Sequence, residues 1–247
     1  MLCAFAPEMA PHDPFAQVLS QRYQAPSWDH LLGTDQFGRD VLSRLLIGTR
    51  ITLGLGLAVT TLALTLGMLL GSAAGYIGGK LDALIMRAAD LLLAFPLIYL
   101  LVTCVAFFGS HWGVLVLMMS LTSWMDIARM VRAEVMSLKA RDFIKAAQVL
   151  GFSRRRIIFL HLLPNALAPV IAFAALRLAD VILLEASLSF LGLGVQPPAV
   201  SWGSVIRDGR DVLASAWWIA TFPGLALVLT ALALNRLAED FRMRRAA

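Results

Sequence analysis

Charged side chains are scarce in this 247-residue chain: Asp, Glu, Lys and Arg together make up 15%, against about 25% in a soluble domain. Apolar residues take their place, at 59%, and the mean hydropathy is +0.77. That balance excludes a disordered chain, a nucleic-acid-binding domain and an ordinary soluble enzyme. Cysteine is nearly absent. Cys3 and Cys104 form no CxxC, so neither a disulfide framework nor a zinc ribbon is indicated. Cys104 lies in an apolar run and reads as a small lipid- or core-facing residue. Histidine is rare as well: His12, His30, His111 and His161 are scattered, and no metal site is expected. Residues 1–6 (MLCAFA) are too short to span a membrane and follow no basic stretch. That excludes a signal peptide, and they read as the last turns of a helix begun upstream.

What remains is long apolar runs. A membrane helix needs roughly 20 mostly apolar residues. Five segments meet that length: about Ile51 to Tyr76, Ala83 to Phe108, Trp112 to Met130, Ala166 to Leu188 and Ala214 to Leu234. The class is therefore all-α and polytopic. Tight turns are expected at Gly78-Gly79-Lys80 and Gly109-Ser110-His111, and a long basic loop from Arg129 to Pro164. If that loop is cytoplasmic, its side holds fourteen basic residues: Lys80, Arg87, Arg129, Arg132, Lys139, Arg141, Lys145, Arg154, Arg155, Arg156, Arg236, Arg242, Arg244 and Arg245. The other side holds six, Arg22, Arg39, Arg44, Arg50, Arg207 and Arg210, and Arg177 is left in a span. The excess places the C-terminus in the cytoplasm. Five crossings then put the N-terminus outside, which a further helix upstream would explain. The net charge of +5 follows from the same basic loops.

Gly67, Gly71 and Gly75 recur every four residues, so they share one helix face and suit close helix packing in lipid; a gating hinge is the other reading. Gly33 to Asp40 (GTDQFGRD) has the outline of a phosphate loop, but Arg39 and Asp40 stand where Lys and Ser/Thr are needed and no strand precedes it. Nucleotide binding is not expected there.

The stretch Asp142 to Asn165 (DFIKAAQVLGFSRRRIIFLHLLPN) reads as helix, glycine turn, helix. Phe143, Ala147 and Leu150 share a face, Asp142 is a candidate N-cap, and Gly151 suits the left-handed position past a helix end. Ser153 can cap the second helix, and Pro164 closes it. One reading is a docking unit for a partner. The other is an interfacial hairpin held to lipid headgroups by Arg154, Arg155 and Arg156.

Ala146, Ala147, Gly151, Leu163 and Pro164 fall in register with the EAA motif, and the stretch resembles that of ABC importer permeases. Lys145 replaces the motif's Glu, and His161 stands where an apolar residue is usual. Two longer stretches resemble the peptide/nickel branch of the same family, most closely its second permease type. One runs from His30-Leu31-Leu32-Gly33-Thr34-Asp35 to Arg39-Asp40-Val41-Leu42-Ser43-Arg44. The other runs from Glu185-Ala186-Ser187-Leu188-Ser189-Phe190-Leu191-Gly192 through Pro197-Pro198 to Ser201-Trp202-Gly203. The resemblance covers residues 11 to about 237. It implies an ABC type-1 permease fold with a cytoplasmic coupling helix, carried here by Phe143, Lys145, Ala146, Ala147, Leu150, Gly151 and Arg155. It also implies a second permease subunit, two ATP-binding subunits and an external substrate-binding protein as partners, with no cofactor. The implied division is an external segment 1–46 carrying the GTDxxGRD stretch, a permease domain 47–238 and a cytoplasmic tail 239–247.

Charge inside a span is costly and has to be accounted for. Arg87 and Asp90, Asp126 and Arg129, and Arg177 and Asp180 are each three apart and are expected to pair along their own helices; Glu185 lies further on. These residues line a translocation path or tie helices together. Trp202, Trp217 and Trp218 suit either an interfacial aromatic belt or the docking face of a binding protein. The function expected is an inner-membrane permease subunit of an ATP-driven importer of peptides or chelated nickel, carrying no catalysis of its own. The rival class is an ATP-independent channel or carrier, supported by the charged residues in the spans, though no paired internal repeat is found.

Overall fold

The computed structural model describes residues 6–246, all helices and connections, with no strand among them beyond the single bridge between Thr34 and Asp40. The expectations for residues 1–5, Cys3 included, and for the side chains of Arg242, Arg244 and Arg245 lie outside the described residues. The main helices are α1 (Val41–Ile77), α2 (Gly79–Leu93), α3 (Leu97–Phe108), α4 (Trp112–Lys139), α5 (Asp142–Val149), α6 (Leu163–Phe190), α7 (Trp202–Gly209) and α8 (Trp218–Ala246). Three are long and apolar enough to cross a membrane: α1, α4 and, within α8, Trp218–Phe241. Counting each bent pair as one span gives five.

Both bends have a chemical cause. The apolar run from Ala83 to Phe108 is not one straight helix: α2 and α3 meet at 83°. Pro96 has no N–H to give and disfavours a helical conformation at Phe95. The second bent pair, Arg154–Leu167 and Pro169–Phe190, meets at 60° around Pro169. Pro164 does not close a helix as its position suggested. The chain runs from Arg154–Arg156 through a π-helical stretch, Ile157–Leu162, straight into α6. There the Leu163 N–H reaches five residues back to Ile158 O. The wider turn absorbs a residue that cannot donate.

The basic loop is also shorter than expected. Helix α4 continues to Lys139, so Arg129 and Arg132 belong to it. At about 1.5 Å per residue its 28 residues extend roughly 42 Å, more than the roughly 30 Å hydrocarbon layer.

The chain divides into two compact units. The first collects the chain up to Ala58, Val102–Val116 and Ala179–Ala233. Its core gathers Val41, Val200, Val205, Ala216, Trp218 and Ile219. Trp202 and Trp218 are buried here, which corrects their placement in an interfacial belt. Their indole N–H groups donate to Leu45 O at 3.0 Å and Thr34 O at 3.1 Å. Trp217 alone of the three is half exposed. Asp40 starts α1 by accepting the Ser43 N–H at 2.8 Å and its hydroxyl at 2.7 Å. So the phosphate-loop outline of residues 33–40 is a helix cap.

The second unit collects Val59–Leu101, Leu117–Leu178 and Leu234–Ala247. Its core is built on α4 through Ala128, Val131, Val135 and Leu138, against Ile144, Ala147, Ile157, Leu162 and Ala166. The expected glycine stripe packs α1 on α4. A Cβ on Gly67 would lie 2.6 Å from Ile127 Cγ2, one on Gly71 2.5 Å from Ala128 O, and one on Gly75 2.9 Å from Arg132 O.

Candidate functional site

The segment 142–162 forms a helical hairpin in the second unit. Arg141, in extended conformation, is the cap residue of α5, and Asp142 is the first helical residue, not the cap. It still sets a negative charge at the helix's positive end, beside Lys145 Nζ at 3.3 Å. Both side chains are exposed, so the pair contributes little. At the other end Gly151 has φ +75°. The Phe152 N–H bonds Ala147 O at 3.1 Å and the Gly151 N–H bonds Gln148 O at 3.0 Å, which is a Schellman closure. Ser153 then accepts the Arg156 N–H. The glycine and serine roles are as the sequence indicates.

The apolar faces of α5 are not. Ile144 and Ala147 are buried in the core, whereas Phe143 and Leu150 are 41% and 71% exposed. The stripe Phe143–Ala147–Leu150 is thus split: Ile144 and Ala147, three apart, hold the helix down. Phe143, Val149 and Leu150 remain as uncovered apolar surface beside exposed Lys145, Ala146 and Arg155. Leu150 ends the helix, so the turn carries it away from the buried side. His161, unexpected at its position, stacks on Phe152 with ring centroids 5.8 Å apart, and the Arg156 guanidinium lies 4.1 Å above the same ring. Lys139 Nζ donates to Tyr76 O at 2.7 Å, satisfying a carbonyl at the end of α1. Together with Gln148 and Arg154 these residues line a cleft of about 310 Å³.

The charged residues pair between helices, which corrects two of the expected in-helix pairs. Asp90 bonds Arg129 of α4 and not Arg87, which is exposed. Asp126 lies 3.2 Å from Arg177 of α6, not paired with Arg129. Arg177 also covers the Phe173 ring at 4.9 Å, and Asp180 is exposed on α6. A further pair went unnoticed in the sequence: Arg132 holds Asp82 with two parallel bonds of 2.5 and 2.6 Å. Three-residue spacing permits an in-helix pair, but facing helices bring carboxylate and guanidinium head to head, which suits the planar fork better. Neutralising one partner leaves the other charge without its counterpart. Asp126→Asn and Arg177→Gln combined are therefore expected to be milder than the sum of the single changes, with a coupling of roughly 0.5–3 kcal/mol, measured by thermal unfolding of the four proteins in detergent. Strict additivity would refute the pair.

In the first unit Glu185 is fully buried. It accepts the Ser189 hydroxyl at 2.7 Å, and Ser201 donates to Ser189 in turn at 3.1 Å. Its Oε2 has no hydrogen-bond partner among the described residues. Nearby sequence stretches build an ionic cluster that spacing alone conceals. Arg39 bonds Asp35 at 2.6 Å and Asp208 at 3.1 Å, and Arg44 bonds Asp208 at 2.9 Å. Asp208 sits on α7, far along the chain, and no sequence signal joins it to the others. Burial pushes its carboxyl above the usual carboxylate range, and the Arg44 and Arg39 guanidiniums pull it part of the way back. The cluster borders a cleft of about 390 Å³ that Phe15, Phe37, Pro197 and Arg207 also line. Two histidines treated as scattered also meet here: the rings of His12 and His30 lie 4.8 Å apart, beside Asp40.

Residues 49–244 match the family described as binding-protein-dependent transport system inner membrane component. The di/tripeptide transport system permease protein DppC of Pseudomonas aeruginosa is 40% identical over 249 residues, covering 98% of this chain and 82% of that protein. The oligopeptide transport system permease protein OppC of Haemophilus influenzae is 39% identical over 213 residues, 86% of this chain and 68% of that one. Among solved structures, a chain of the MetNI methionine ABC transporter in an inward-facing conformation superposes with a TM-score of 0.67 at 18% identity, covering 82% of this chain and 95% of that one. That likeness shows the fold. With the matched family residues and the long alignments to peptide permeases, it places this chain among the permease subunits of binding-protein-dependent ABC transport systems.

Proposed function

We propose that this chain is one permease half of an ATP-driven peptide importer, and that the hairpin 142–162 receives the stroke of the ATP-binding subunits. The observation that carries the coupling role is the two-sidedness of α5. Ile144 and Ala147 are fixed in the core shared with α4 and the start of α6, while Phe143, Val149 and Leu150 offer uncovered apolar surface. A force applied to that surface reaches α4 and the start of α6 through packed side chains. Alternating access then follows if the helices have two packings that ATP binding and release select between. Peptide cargo is favoured by the names of the relatives; chelated nickel is the alternative within the same branch.

The remaining partners are a second permease subunit and an external binding protein, with ATP hydrolysis on the separate subunits. The basic hairpin and the C-terminus lie on the cytoplasmic side by the positive-inside rule. The segment 1–46, the domain 47–238 and the tail 239–247 take the external, spanning and cytoplasmic roles. Arg87, Asp90, Asp126, Arg129, Arg177, Asp180 and Glu185 belong to helix association in this reading, not to cargo contact, because Asp90, Asp126, Arg129 and Arg177 are held in inter-helix pairs.

The test is purification of the tagged chain in mild detergent, identification of what co-elutes, and reconstitution in liposomes. A stoichiometric ATPase, a second permease and ATP-dependent peptide uptake are expected. A chain that elutes alone and moves solute without ATP would overturn the proposal in favour of a channel or carrier.

A further inference from the structure

Asp40 does two things at once. Its Oδ2 is committed to the Ser43 N–H and hydroxyl at the start of α1. Its Oδ1 faces two imidazoles: His30 Nδ1 at 2.9 Å and His12 Nδ1 at 3.8 Å. One potential ligand atom from each of the three residues falls within 4.8 Å of the others. His30 and Asp40 are buried, and the His12 side chain is 43% exposed. The His12 segment is itself held, since its N–H donates to Ser43 Oγ at 3.1 Å. Ser43 thus fixes both Asp40 and His12 from behind, the arrangement by which outer hydrogen bonds orient metal ligands.

We propose that His12, His30 and Asp40 bind one divalent transition-metal cation of the zinc class. Bonds of about 2.0–2.2 Å to nitrogen and carboxylate oxygen put neighbouring ligand atoms of a tetrahedral site roughly 3.3–3.5 Å apart. The two observed separations lie on either side of that figure. A small rotation of His12, the exposed member, closes its longer separation, and an ion between His30 and Asp40 widens their hydrogen-bonded contact by roughly 0.5 Å. Two imidazoles and one carboxylate suit zinc, nickel or copper(II), and the nitrogen donors disfavour calcium and magnesium. Three protein ligands leave a fourth position, and the exposed side at His12 gives both the entry path and room for water. Metal at this point ties residue 12 to the first turn of α1. The inference is independent of the transport role and of the cargo.

The test uses the full chain purified in detergent with its partner subunits and stripped with a chelator. Zinc affinity is measured by competition with a chromophoric chelator, and cobalt(II) substitution supplies a visible spectrum that reports nitrogen and oxygen ligation. The variants are His12→Ala and His12→Gln. Because His12 is exposed, both keep the metal-free melting temperature of the wild type. One zinc per chain is expected, bound tighter than about 10 μM at pH 7.5. Either variant lowers that affinity at least tenfold and removes the cobalt spectrum. Zinc binding weaker than about 10 μM, or binding unchanged in both variants, overturns the site. The trio would then be a His30–Asp40 hydrogen bond with a second, tilted ring packed against it.

Discussion

Phe143→Asp combined with Leu150→Asp leaves the chain folded and inserted but abolishes uptake and association with the ATP-binding subunits. Both side chains are already exposed, at 41% and 71%, so the isolated chain gives up little packing when they become polar. In the proposed assembly they are the apolar part of the surface that the ATP-binding subunits cover. Each large apolar side chain buried by a partner contributes about 1.5–3 kcal/mol. Losing two removes roughly 3–6 kcal/mol, or two to four decades of affinity, before the cost of burying two carboxylates. Ile144→Asp is the contrast. Ile144 is fully buried beside α4, so that change destroys the hairpin and the folded chain together. The measurements are size-exclusion profile and melting temperature for folding, then co-purification of the ATPase and liposome uptake for coupling. Normal uptake by the double variant sinks the assignment of α5 as the docking element.

The largest effect on stability is expected at Gly71. A Cβ there would stand 2.5 Å from Ala128 O, 2.9 Å from Val131 Cβ and 3.0 Å from Ala128 Cα. Two of the three neighbours are backbone, so no rotamer change relieves the clash, and α1 and α4 have to separate. Overpacking of a core costs about 1–3 kcal/mol where side chains can give way. Gly71→Leu, against backbone, is expected to exceed about 3 kcal/mol, a large share of a total of about 5–15 kcal/mol. The folded yield in detergent should collapse. Gly54 on the same helix is the control, since a Cβ there meets nothing within 4 Å. Gly54→Ala should leave the melting temperature unchanged or raise it, by helix propensity worth up to about 1 kcal/mol. A Gly71→Leu protein that melts with the wild type would show that these two helices do not pack through the stripe.

The same glycines mark how much of the protein is legible in its residues. A period of four names the face and the need for close approach, but only the fold names Ile127, Ala128 and Arg132 as what lies opposite. The cap at Ser153 and the left-handed turn at Gly151 could be read directly, because both depend on residues a few positions apart. The charged residues could not. Spacing of three suggested Arg87 with Asp90 and Asp126 with Arg129, yet the structure joins Asp90 to Arg129 and Asp126 to Arg177. A pair along one helix competes with a pair across two, and the sequence holds no term for the second. The apolar residues of α5 show the same limit: periodicity finds a stripe but does not tell which side faces the core.

Composition and apolar run length by themselves determined that the chain is helical and membrane-embedded, and three motif stretches determined its family, because those properties depend on local residue order. Which helices bend was not legible: Pro96 and Pro169 lie at the two bends, but Pro223 lies inside α8, which counts as a single span. Only the tertiary structure decided that Trp202 and Trp218 are core residues, that Asp208 joins Arg39 and Arg44, and that His12 and His30 converge on Asp40. Each of these contacts joins positions far apart in the chain, where chain entropy opposes the encounter and only the packed fold repays it.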